Sequence, residues 1–175
     1  VKAVSGVSEF KREKFKQVLH YIINQCGSLE HFGKVVLYKL LYFADFDYYE
    51  LFEEKLTGET YRKFDFGPVP LHFEQAIQEL RDEMRVETFE QEIGQYKQYR
   101  YISLKEPSLN LLTGDEIDFI EKDVTKYCYM NASQISAFSH GDIPYKATND
   151  DDIIDYELVF YRDPLFSVRE YEDGA

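Results

Sequence analysis

The sequence predicts an α+β domain that is mainly α: a compact helical domain of about five helices with a small antiparallel β-sheet or hairpin. Three observations point there. Apolar residues recur at the three-and-four spacing of a buried helix face in five separate segments. Two stretches with strand character, Val86 to Phe89 and the Tyr-rich Tyr96 to Leu104, flank a turn at Gly94. The composition of the 175 residues, 44% hydrophobic and 30% charged, suits a globular core and not a disordered chain. A chain of this length buries a core without help from disulfides or metal.

The elements follow in order. Ser8 is placed to cap a first helix, whose apolar face is Phe15, Val18, Leu19, Ile22, Ile23 and Cys26, with Gly27 at its end. Ser28 is placed to cap a second. Its residues Phe32, Val36, Leu37, Leu40, Leu41, Phe43, Ala44 and Phe46 make it apolar nearly all round, so it is the central buried helix, stopped by Gly58. Glu59 to Phe66 reads as a short strand or extended arm. Gly67-Pro68-Val69-Pro70 then forces extended backbone, because each proline fixes its own φ and biases its predecessor away from helix. A third helix is expected from near Pro70, with Phe73, Ala76, Ile77 and Leu80 inward. Thr113 with Glu116 forms a capping box for a fourth helix, and Asn131 with Gln134 a second box for a short fifth one ending at His140 and Gly141. Ile153 to Tyr161 fits helix or strand.

One domain is expected over residues 8–165. Residues 1–7 read as a linker or expression remnant, and 166–175 as a mobile acidic tail. The net charge of −13 makes the chain a poor general binder of nucleic acid, whose affinity rests on neutralised phosphates. The charge is uneven, about +1 over residues 1–50 and about −6 over 151–175. Apolar runs fall short of a membrane span and no secretory signal is visible, so a soluble, cytoplasmic protein is expected. Cys26 and Cys128 both sit in apolar helical patterns and read as buried free thiols.

Chemistry-bearing constellations are sparse. His20, His31, His72 and His140 form no close pair and no metal motif, and Asp150, Asp151, Asp152 and Asp155 lack calcium-loop spacing. No metal and no cofactor is expected. Ser139, His140 and Asp142 are neighbours in sequence, which does not make a triad; a helix end is the simpler reading. Asp45 lies mid-helix among Phe43, Ala44 and Phe46 and so needs a donor partner, whether as a structural acceptor or as a working acid. The 15 tyrosines fit either half-buried packing or an interface, where tyrosine is enriched.

A family resemblance enters here. Lys39-Leu40-Leu41-Tyr42-Phe43-Ala44-Asp45-Phe46, then Leu56-Thr57-Gly58-Glu59-Thr60-Tyr61, then Phe66-Gly67-Pro68-Val69-Pro70 resembles the Panacea domain, the SocA-type antitoxin family. Leu112-Thr113 with Glu116, and Ala132 to His140, match further; a tryptophan that the family carries soon after that histidine is replaced by Tyr145. The resemblance implies a binding module, not an enzyme, that neutralises a cognate bacterial or phage toxin encoded nearby by direct stoichiometric binding. It brings no catalytic residue. Nucleic acid would be met only through an N-terminal helix-turn-helix domain of the kind many members carry, missing here if Val1 is a truncation point; a homodimer stays open. The expected partner surface is Tyr61, Lys63, Phe64 and Phe66 on the arm with Tyr99 and Tyr101 on the hairpin. The motif positions Asp45, Gly58, Gly67, Pro68, Pro70 and His140 serve fold or function. Two other classes remain as alternatives: an enzyme with a site near Asp45, Tyr61 and His140, or a DNA-binding transcriptional regulator using the helices at 113–129 and 132–139. Against the second, Ala132 to Ser139 contains no Lys or Arg.

Overall fold

Helix α2 (Lys34–Phe52) is the axis around which the other elements pack, in a computed structural model that describes residues 10–171. Thirteen of its nineteen side chains are buried, as its all-round apolar pattern requires. Helix α1 (Arg12–Cys26), α4 (Gly114–Tyr127) and α5 (Ala132–Gly141) lie against it, and α3 (Phe73–Asp82) packs on α1. A one-turn helix α6 (Ile143–Lys146) and a 3-10 segment (Tyr156–Tyr161) close the chain over the second half of α2. The fold is thus α+β and mainly α, with two small antiparallel hairpins.

The first hairpin pairs β1 (Tyr61–Phe64) with β2 (Gly67–Pro70), in the register Tyr61 to Pro70 and Phe64 to Gly67. Two prolines in a four-residue strand demand an edge position, since proline cannot donate to a neighbour. The other side of β1 is taken by residues 151–154: Lys63 N–H donates to Asp152, Asp151 N–H to Lys63 and Ile154 N–H to Tyr61, each at 2.9 Å. The second hairpin pairs β3 (Val86–Ile93) with β4 (Tyr96–Ser103) across a two-residue turn, where Gly94 adopts φ +60°.

Both expected capping boxes form, on Thr113/Glu116 and Asn131/Gln134. Several boundaries differ from expectation, each for a local reason. Ser8 lies outside the described residues; α1 opens at Arg12, with the Lys11 N–H bonded to Thr57 instead of a side-chain cap. Helix α2 opens at Lys34 and not at Ser28. Arg100 of β4 donates to the carbonyls of Gly27, Leu29 and Glu30 and so fixes residues 27–30 as turn. Helix α3 opens at Phe73, because Pro70 is engaged in the β2 ladder opposite Tyr61. Ile153 to Tyr161 is both readings in turn: Ile153 bridges Arg62 as strand, and the 3-10 segment follows.

Residues 166–171, expected within a mobile tail, pack instead on the body of the fold. Phe166 packs at a tilt against Phe138, ring centres 4.5 Å apart, and the hydroxyls of Ser167 and Tyr171 both donate to buried Glu50. The remainder of that tail, and the linker expected at 1–7, lie outside the described residues. Cys26 and Cys128 are both buried and free. The aromatic excess goes largely into the core. Phe46 stacks on Tyr42 at 4.4 Å and on Tyr156 at 4.2 Å and meets the edge of Tyr61 at 5.7 Å. Each such ring contributes roughly 1.5–3 kcal/mol by burial alone.

Candidate functional site

The turn of the β1–β2 hairpin is held by three side chains from three different elements. The Tyr145 hydroxyl donates to the Phe64 carbonyl at 2.6 Å, His140 Nε2 meets the Asp65 carbonyl at 2.9 Å, and Lys39 Nζ donates to the Phe66 carbonyl at 2.5 Å. His140 Nδ1 also lies 2.5 Å from the Ser136 carbonyl, and its ring meets Tyr145 edge-on at 4.8 Å. Three consecutive carbonyls are therefore tied to α2, α5 and α6. The clamp leaves the two phenylalanines on the outside. Phe66 is 80% exposed and Phe64 37%. A large apolar ring on a rigidly held turn is an anchor that loses little entropy when it docks.

Gly67 makes the clamp possible. Its φ is +123°, and a Cβ there would stand 2.7 Å from Lys39 Cε and 2.9 Å from Nζ. Gly67→Ala is expected to lose about 1–3 kcal/mol of stability in urea unfolding, since both the backbone and the lysine must move. Lys39 is buried, and burial pushes its pKa down to about 8.

Behind the hairpin, α2 carries three buried carboxylates. Asp45 accepts from the Thr57 N–H at 3.0 Å, from the Thr57 hydroxyl at 2.8 Å and from the Tyr61 hydroxyl at 2.6 Å. Burial nevertheless pushes its pKa up to about 7, against the lowering by Tyr61 and Thr57. Asp47 and Glu50 face Arg162, which also grips Asp142 through two nitrogens at 2.9 and 2.8 Å. The Tyr127 hydroxyl donates to Asp47 and the Tyr42 hydroxyl to Asp142. Asp123, buried beside Asp47, is pushed well above the carboxylate range, first by burial and then by the charge of Asp47.

The expected surface residues divide. Phe64, Phe66 and Tyr99 are exposed, and half-buried Lys63 places its ammonium 4.5 Å from the Tyr145 ring centre. Tyr61 and Tyr101 are corrections: both are buried, so neither offers a surface to a partner. Tyr61 turns inward because its hydroxyl satisfies Asp45, and Tyr101 because its ring packs edge-on against Phe73 at 5.9 Å. Tyr99 and Tyr101 do share a face of β4, but the strand carries that face from the rim into the core. The groups of the alternative enzyme reading do not converge. Asp45 and Tyr61 are bonded in the interior, while His140 is spent on carbonyls of α5 and the hairpin.

The motif positions that the sequence singled out fall on this clamp and its support. Asp45 bonds the Thr57 segment, Gly58 turns it with φ +75°, Pro68 and Pro70 form the β2 edge, and Gly67 and His140 hold the turn. The family model described as antitoxin SocA-like, Panacea domain, matches residues 37–144. The chain belongs to the SocA-like Panacea family. No curated protein and no solved structure matches it. In this Panacea domain the matched span runs from α2 to α6 and so contains the whole clamp except for the hydroxyl of Tyr145, one residue past its end. It excludes Arg162, which neutralises Asp47 and Asp142 inside the span. Among the described residues no cluster of three or more His, Cys, Asp or Glu could hold a metal ion, and no helix is long and apolar enough to cross a membrane.

Two residues of the clamp and its support were given no role from the sequence. Lys39 was visible as a cation in an apolar helix, a pattern that asks for a buried acceptor. Arg162 had no local signal, because its partners lie 20 to 115 residues away.

Proposed function

We propose that this chain is an antitoxin that neutralises a cognate protein toxin by stoichiometric binding, without turnover and in the cytoplasm, and that the β1–β2 turn is part of the contact. The observation that carries the reading is the clamped turn. Lys39, His140 and Tyr145 fix its three carbonyls and so present Phe66 outward. Membership of an antitoxin family supplies the class of partner. The net charge of −13 favours a basic toxin, since complementary fields speed encounter.

The test is co-expression with the neighbouring gene in a bacterium, following growth and co-purification. Rescue together with a stable complex is expected. A neighbour that is harmless, or is toxic but neither bound nor rescued, overturns the reading. Within the complex, Phe66→Ala is expected to weaken binding by roughly 2 kcal/mol, as loss of a central aromatic anchor does, while thermal unfolding of the free protein stays where it was. Titration calorimetry reads the first and a melting curve the second.

A further inference from the structure

The β3–β4 hairpin has one covered edge and one open edge. Its two-residue turn makes Ile93 and Tyr96 a bonded pair, and the Leu104 N–H donates to Arg85 at the other end. Antiparallel pairs alternate, so residues 87, 89, 91 and 93 point their backbone groups at β4, and 86, 88, 90 and 92 point theirs away. The outward carbonyls of β4 at Tyr99 and Tyr101 lie against Gly33 and Gly27, so the turn after α1 covers that edge. On β3 the Thr88 N–H is taken by the Glu87 carboxylate at 2.9 Å. The outward groups of Glu90 and Glu92 meet no protein partner among the described residues.

The two faces of this hairpin differ as well. Val86 and Tyr101 share the face that enters the core. The opposite face carries Phe89, Ile93, Tyr96 and Ile102, all exposed, with Tyr96 at 73%, alongside Glu87, Gln91, Gln98 and the buried Arg100. An exposed strand edge beside exposed apolar side chains is a template for another strand.

We propose that the outer edge of β3 takes up an extended segment of a partner protein in which basic and apolar residues alternate. The partner's backbone pairs with Glu90 and Glu92. Its basic side chains fall beside the carboxylates of those residues, and its apolar ones continue the Phe89–Ile93 face. A second copy of this chain is disfavoured at that place, because two β3 edges would set glutamates against glutamates. The proposal rests on the antitoxin reading only for naming the partner a toxin.

The probe is a synthetic peptide of alternating Lys and Val as long as β3, titrated into the full chain with amide exchange followed by NMR. Binding that weakens with salt and slows exchange of the Glu90 and Glu92 amides is expected. Glu90→Pro removes an outward N–H without touching the ladder to β4 and is expected to weaken the peptide about tenfold or more, equal to at least 1.4 kcal/mol. The double variant Glu90→Lys, Glu92→Lys is expected to lose this peptide and bind its Glu/Val counterpart. No binding, or binding that leaves both amides and the Glu90→Pro affinity unchanged, overturns the proposal. Growth rescue by the chain decides the antitoxin reading separately. Rescue without peptide binding removes the edge and keeps the antitoxin; peptide binding without rescue keeps the edge and removes the toxin as its partner.

Discussion

Arg162→Ala is expected to cost about 3–5 kcal/mol of folding stability, the loss that follows when one partner of a buried ion pair is removed. The guanidinium is wholly buried and serves three carboxylates: Asp47 at 2.7 Å, Glu50 at 3.1 Å and Asp142 at 2.8 Å. Burial works against its charge, but the attraction of Asp47 and Asp142 overrides it and raises its pKa further. Without it, three acids from α2 and the α5–α6 junction face one another in a dry interior. Urea unfolding measures the loss. Part of it should return as pH is lowered, since protonation relieves the repulsion. Arg162→Lys should fall between wild type and alanine, because one ammonium cannot replace a guanidinium that meets Asp142 with two nitrogens. Should the alanine variant not fold at all, the lysine variant carries the test. An unfolding midpoint for both variants within error of wild type would show that the network contributes nothing.

What the sequence disclosed follows the range of the forces involved. Helix faces, the two capping boxes and the Gly94 turn are local, set by residues three or four apart, and they form as expected. The extended backbone at 67–70 was legible because proline restricts its own φ; that it pairs with β1 as a strand was not. The partner surface was legible only in part. Period two puts Tyr99 and Tyr101 on one face of a strand, yet it does not say where along the strand the core begins. Tyr61 looked like a displayed aromatic, and its burial depends on Asp45, sixteen positions earlier. The helix starts at Ser28 and Pro70 were misplaced because distant partners, Arg100 and Tyr61, hold those residues in other conformations. The Arg162 network joins α2 to the far end of the chain, and no pattern within a window of residues encodes such a meeting.

Stability is expected to depend on pH through buried groups of opposite sign, two acids and one lysine. Asp45 titrates near 7 in the folded protein because burial outweighs its bonds to Tyr61 and Thr57. Between about pH 4 and 7 the folded state keeps a proton that the unfolded chain has released, so stability falls as pH rises, by about 4 kcal/mol in all for a shift of that size. Asp123, held up by its burial and by Asp47, adds to the fall in the same direction. Lys39 acts the other way. Its folded pKa is pushed down to about 8 by burial, so between about pH 8 and 10 the unfolded chain holds the extra proton and stability rises with pH. Difference measurements separate the two. Asp45→Asn mimics the protonated acid: its amide oxygen accepts from Thr57 while its N–H meets the Tyr61 oxygen. It should match wild type near pH 4 and exceed it increasingly towards pH 8. Lys39→Met should differ from wild type by a constant amount below pH 8, and that amount should shift against the variant above it, as the wild-type lysine sheds its charge. Urea midpoints taken every half unit would show both limbs. Curves for Asp45→Asn and wild type that run parallel from pH 4 to 8 would mean that the acid is already ionised throughout, stabilised by its three donors beyond the reach of burial.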